Sequence, residues 1–195
     1  QYPLFFNEGG HIKNPIQQMA CDLTIGRKEV CKDSVGGIKA IYFSNFEDTT
    51  SASYTFDATN TDVIDAVSGT PNAFKYEVRD ASSFTQNIQS SADTGTTAFE
   101  QVVELTLKKL TIADHKELKL ISYGRPRVIV QDQNDNYFLA GFENGCQVTA
   151  GTIVTGQAMN DLSGYTLTLT GMEKKPANFL DSDPATVGFT VVVQA

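Results

Sequence analysis

The residues best spaced to do chemistry are Asp132, Asn134, Asn136 and Glu143, which fall at positions 1, 3, 5 and 12 of a calcium-binding EF-hand loop. Oxygen donors at that spacing can wrap a hard cation, but such a loop needs Gly at position 6 for its sharp turn, and Tyr137 stands there. The flanking runs RVIV and YFLAG read as strands rather than helices, so QDQNDN is expected to form an Asn- and Asp-rich β-hairpin turn without a metal. No G-x-S-x-G elbow, H-E-x-x-H pair, phosphate-binding P-loop or G-x-G-x-x-G fingerprint occurs in the chain. His11 and His115 have no nucleophile motif beside them and are expected to be solvated. Cys21, Cys31 and Cys146 cannot all pair within one chain, and the spacing of the first two fits no zinc pattern, so reduced thiols made in a cytoplasm are expected. No catalytic, cofactor-binding or metal residue is assigned, and a non-enzymatic role is expected.

Composition narrows the remaining classes. A chain of 195 residues fits one domain, and 41% apolar with 19% charged residues is the balance of a folded globular protein. No stretch is long and apolar enough for a membrane helix. A formal charge of −8 and a sequence pI of about 4.7 argue against a surface that grips phosphate backbones. They leave room for a channel through which DNA slides without adhering. The first residues carry no basic segment followed by an apolar core and a cleavage site, so no signal peptide is expected. The chain opens at Gln1, and Met19 heads a segment that reads as a plausible start.

The elements that must position any site are mostly strands. Residues 1–18 mix an aromatic cluster (Tyr2, Phe5, Phe6) with Gly and Pro and no period, which reads as an extended arm docked on this domain or on a neighbouring copy. Residues 19–195 read as a single β-rich domain. Short β-prone runs follow from Ile38: IKAIYFSNF, ASYTF, DVIDAV and AFKYEVR. From Phe99 to Leu110, Val103, Leu105 and Leu107 alternate with Glu104, Thr106 and Lys108, so one face meets a core and the other meets water. That strand is expected to pair with Ser82 to Ser90 in a long hairpin. Thr111 to Gly124 reads as the one helix, with Thr111 as N-cap, Gly124 past its end, and Leu118, Ile121 and the nearby Leu120 toward a sheet while Lys116 and Lys119 face out. Strands resume with RVIVQD, NYFLAG, GCQVTAGTIVTG and YTLTLTGME, and a last strand is expected over residues 187–194. In YTLTLTG, Tyr165, Leu167 and Leu169 alternate with Thr166, Thr168 and Thr170.

Strands, a long polar hairpin, one amphipathic helix and further strands form an order that, from about Asp80 to Phe179, resembles the bacteriophage tail tube (major tail) proteins. Within it, VTAGTIVTGQAMNDLSGYTLTLTGMEKKPANF is similar to the late part of such proteins. The resemblance implies a mainly β, antiparallel sandwich or barrel-like domain with one flanking helix and extended terminal arms. It implies copies assembled as a hexameric ring, rings stacked into a tube within a virion, other tail or head-tail proteins as partners, and DNA only in transit. It brings no catalytic residue and no cofactor. The hairpin Ser82 to Lys109 matches strands of the ring's inner sheet, and its polar face of Ser83, Thr85, Asn87 and Gln89 suits a wet lumen. Phe5 and Phe6 on the first arm and Phe189, Val191 and Val193 near the other terminus are the candidate subunit contacts, since obligate rings bury strand edges that would otherwise aggregate. Alternatives are a capsid decoration or head-tail joining protein, a secretion-system tube protein, and a carbohydrate-binding β-sandwich, the last disfavoured by the absence of Trp.

Overall fold

Runs rich in Val, Ile, Thr and aromatic residues become the strands of the second of two units into which the chain divides, residues 1–33 and Ser34–Ala195. The computed structural model describes residues 25–28, 32, 34–79 and 82–193. The arm assigned to residues 1–18, with Phe5, Phe6 and His11, lies outside them, as do its boundary at residue 19, Cys21 and Cys31. In the second unit β1 is Ile38–Ser44, β2 Tyr54–Phe56, β3 Val63–Val67, β4 Asn72–Glu77, β5 Ser83–Ser91 and β6 Thr96–Lys108. Helix α1 spans Ile112–Tyr123. There follow β7 Arg127–Asp132, β8 Tyr137–Ala140, β9 Gln147–Val154, β10 Gly164–Glu173, β11 Asn178–Leu180, the single-turn α2 Pro184–Val187, and β12 Thr190–Val192.

Two sheets result. The larger has eight strands in the order β12-β4-β1-β7-β8-β11-β3-β2, and the smaller has four in the order β5-β6-β10-β9. Every contact in the smaller sheet is antiparallel, whereas the larger includes two parallel pairings, β11 with β3 and β12 with β4. Strands β3 and β4 sit five places apart in the larger sheet, roughly 24 Å at the usual inter-strand spacing. Only residues 68–71 join them, a reach of at most roughly 18 Å, so this sheet must curl. The architecture is the expected mainly β one with two sheets and a flanking helix, but the sheets are not closed into a barrel.

The two layers enclose the main core. Ile41, Phe43, Val128 and Val130 of the larger sheet meet Val103, Leu105, Tyr165, Leu167 and Leu169 of the smaller, together with Cys146. The alternations in β6 and β10 therefore turn the expected residues inward. Helix α1 adds Leu118 to this core, with Ile121 half-buried beside it. Its start is capped as expected, since the Asp114 N–H donates to the Thr111 hydroxyl at 3.0 Å. Leu120 departs from expectation at 55% exposed, because a residue two positions after Leu118 lies roughly 200° further round a helix.

The opposite face of the larger sheet carries a second core, where Tyr42, Ile64, Val67, Ile129, Leu139, Leu180, Val187 and Phe189 meet. The segment with Val187, Phe189 and Val191 is thus docked on its own unit. Of the expected strand over 187–194, residue 194 lies outside the described residues, and over 187–193 only Thr190–Val192 is a strand, because Val187 closes the turn of α2 and Gly188 adopts φ +120°. A side chain at Gly188 would collide with the Val67 carbonyl, so the left-handed glycine lets this segment lie close against β3.

Candidate functional site

The smaller sheet has one face in the main core and one open face, and the period of two decides which residues stand on each. On β5 the open face carries Ser83, Thr85, Asn87 and Gln89, all exposed, while Phe84 and Gln86 turn inward and are half-buried. Register places Ser83 opposite Glu104, Thr85 opposite Val102, and Asn87 opposite Glu100. On the next strands Glu104 is opposite Thr168, Val102 opposite Thr170, and Thr166 opposite Thr152. The four residues expected on a polar surface are therefore brought together, and the surface extends over the whole sheet.

Side-chain hydrogen bonds tie this face laterally. The Ser83 hydroxyl donates to Glu104 Oε2 at 3.1 Å, and the amides of Asn87 and Gln89 both donate to Glu100 Oε2, at 3.2 and 3.3 Å. Hydroxyl pairs continue the pattern, with Thr152 and Thr166 at 2.6 Å and Thr149 and Thr170 at 3.1 Å. The contribution of β9 and β10 was missed from sequence. Its signal was the threonine half of YTLTLTG, the same alternation whose apolar half placed the core.

Both outer strands of this sheet are edges. Among the described residues no strand pairs with the free side of β5 or of β9, which are nine and eight residues long. Proteins usually blunt such edges with Lys, Pro or short length. Neither SFTQNIQSS nor QVTAGTIV contains a charged residue or a proline. A bulge in β9, where the register to β10 shifts between Thr168 and Leu169, is the one irregularity. The arrangement can accept a further strand at each edge through backbone hydrogen bonds.

The predicted contact residues near the chain's end divide. Phe189 is 4% exposed and taken up by the second core, so its ring is not offered to another molecule. Val191 is half-buried against that core and pairs with Ala73 of β4. Val193 is 59% exposed.

The Asp132 to Asn136 segment is a hairpin turn between β7 and β8. Asp132 accepts the backbone N–H groups of Asn134 and Asn136, at 2.8 and 2.7 Å, and both of their side-chain amides, at 3.2 and 2.8 Å. Burial opposes its charge, but the hydrogen bonds from Asn136 and Asn134 outweigh this and hold Asp132 below the usual carboxylate range. Asn134 bonds Val35 through both N–H and carbonyl, and Asp135 accepts Lys39 Nζ at 2.7 Å. Glu143 stands apart from this turn, 3.7 Å from Lys174 Nζ. Among the described residues no group of three His, Cys, Asp or Glu is placed to hold a metal.

Two buried charges support the fold beside Cys146. Arg127, 2% exposed, donates to the carbonyls of Phe46, Thr49 and Phe142, and its guanidinium lies 4.1 Å from the Phe46 ring centre. Glu173 accepts the N–H groups of Glu143 and Asn144 at 3.1 and 2.8 Å, and burial raises its carboxyl above the usual range despite those bonds. Burial pushes the Cys146 thiol up to about 12, which makes it inert. His115 is exposed, its ring 6.4 Å from that of Tyr165.

Compared with protein-family models, curated proteins and solved structures, the chain matches none.

Proposed function

We propose that this protein is a structural subunit whose copies join edge to edge through β5 and β9 into a closed ring, the open polar face of the smaller sheet lining a channel. The supporting observation is one surface, a polar four-stranded sheet with two long outer strands that carry no charge and no proline. Because the strands alternate in direction through the order β5-β6-β10-β9, its two edges run opposite ways. A head-to-tail contact related by rotation therefore lays β9 of one copy against β5 of the next in antiparallel pairing, with no mismatch at any junction. Backbone pairing of this kind satisfies edge groups that otherwise invite aggregation.

The face fits a wet lumen for the same reasons that make it a poor core. Its threonines bond one another across strands, while Ser83 and the amides of Asn87 and Gln89 donate to Glu104 and Glu100, acidic groups that repel phosphate rather than hold it. With the resemblance to tail tube proteins, the reading is a virion tail tube subunit, in rings of six that stack and conduct DNA. Asn87→Lys on β5 together with Thr152→Lys on β9 tests it, because both sites are exposed and add charge to the two edges without touching the core. The expected result is a protein with the circular dichroism spectrum of the wild type that scatters light as a monomer where the wild type forms rings. Rings of unchanged size in the double variant would remove the edge-to-edge reading.

A further inference from the structure

Two isoleucines on the smaller sheet are exposed without standing on its polar face. Ile88 on β5 is 70% exposed and Ile153 on β9 is 60% exposed. Ile88 follows the inward Phe84 and Gln86 at the strand's period of two, and Ile153 is opposite the buried Tyr165. Each therefore points to the side that elsewhere faces the main core, and each lies on one of the two outer strands. On that same side of β5, Phe84 rests against Phe138, whose ring in turn meets that of Phe179 at 4.7 Å between centres.

The inward side chains of the two outer strands form matching series. On β5 they are Phe84, Gln86 and Ile88. On β9 they are Ile153, Gly151 and Val148, opposite Tyr165, Leu167 and Leu169 of β10, the bulge leaving Thr149 without an opposite residue. Laid antiparallel over their full length, the strands set Phe84 opposite Ile153, Gln86 opposite Gly151 and Ile88 opposite Val148. The polar middle of the series is already engaged, since Gln86 Oε1 accepts the Ala177 N–H at 2.8 Å. On the open face Thr85 then meets Thr152, and Asn87 meets Ala150. A slip of one residue turns the apolar series of one strand toward the polar face of the other. A slip of two either sets Ile88 opposite Gly151 and Ile153 opposite Gln86, or carries both isoleucines past the end of the facing strand.

We infer that copies of this chain pair in that single full-length register, with Phe84, Ile88, Val148 and Ile153 forming an apolar seam beneath the polar face, and that Ile88 and Ile153 are the residues that select it. The inference rests on the ring reading and names what chooses among the pairings open to it. Opposed apolar side chains stabilise paired strands, and the two isoleucines leave water only when the seam closes. Cysteine pairs on the open face, away from the seam, test the register, because a disulfide needs Cα atoms within roughly 7 Å. Thr85→Cys with Thr152→Cys places the two directly opposite. Thr85→Cys with Ala150→Cys, and Asn87→Cys with Thr152→Cys, are opposite only in the slipped pairings. Under a mild oxidant the first double variant should run on a denaturing gel as a reductant-sensitive ladder of linked copies. The other two, and every single variant, should run as the wild type does. A second measurement uses Ile88→Ser with Ile153→Ser, both exposed in the separate subunit. That variant should keep the wild-type circular dichroism spectrum but need roughly tenfold more protein to form rings. A ladder from a slipped pair, no ladder from the first pair where the wild type forms rings, or rings of the serine variant at the wild-type concentration would overturn the inference and leave the ring reading standing. Absence of rings from the wild type would remove both.

Discussion

Arg127 and Glu173 set the consequences of single substitutions most sharply. Arg127→Ala strands the carbonyls of Phe46, Thr49 and Phe142 inside the protein, and losing a buried, hydrogen-bonded charge costs about 3 kcal/mol or more. Urea unfolding should show that loss as a lower midpoint. Arg127→Lys should not restore it, because an ammonium lacks the planar fork that serves several carbonyls. Glu173 has a raised folded-state value, so the native state binds more protons than the unfolded one over the interval above the ordinary 4.5. Its contribution to stability is full below that value and declines as pH rises toward the folded one. Glu173→Gln keeps an oxygen acceptor for the two N–H groups, and its unfolding midpoint should therefore be flatter across this interval than that of the wild type. Asp132 acts with the opposite sign. Its lowered value makes its stabilisation present above 3.8 and lost as pH falls through the folded value. Asp132→Ala should thus be less stable than wild type near neutrality, with the gap closing in acid. Calcium should change neither curve, and a rise of several degrees in melting temperature that Asp132→Ala abolishes would contradict the hairpin-turn account.

At the scale of elements, the strands were legible where a period of two met a buried face. Val103 and Leu105 on β6 and Leu167 and Leu169 on β10 announced themselves, because alternation records one wet and one dry side. The Thr111 cap and Gly124 likewise bounded α1. The three-residue β11 was not legible, being too short to carry a period. Nor was the fate of VGFTVVVQ, whose hydrophobicity says that it is covered but not by what. Its docking changes what a truncation means. Ending the chain at Pro184 removes Val187 and Phe189 from the second core and β12 from β4. Large buried apolar side chains are worth about 2–5 kcal/mol each against cavities. The truncated protein should therefore melt at a lower temperature or fail to fold, rather than persist as a stable monomer. Circular dichroism melts of that truncation against Val193→Ala, which touches neither core, check this.

For the whole molecule, the mainly β class followed from composition and punctuation and the sandwich arrangement was implied by the resemblance, whereas the curl of the larger sheet and the pairing of distant strands followed from neither. Those depend on contacts such as Phe179 with Val63, which no local pattern encodes. The open polar sheet was half legible: Ser83, Thr85, Asn87 and Gln89 stood out as an uncharged face, but that β5 and β9 are both edges is a property of topology alone. The molecule's charge of −8 bears on what passes such a channel. Fluorescence anisotropy should find duplex DNA bound no more tightly than about millimolar at physiological salt, weaker than ordinary non-specific binders. The claim that copies join through β5 and β9 into rings around a polar lumen meets its most direct test in negative-stain electron microscopy of the concentrated wild-type protein. The account predicts closed rings with a central hole, singly or stacked into tubes. A field of separate monomers at high concentration would contradict it.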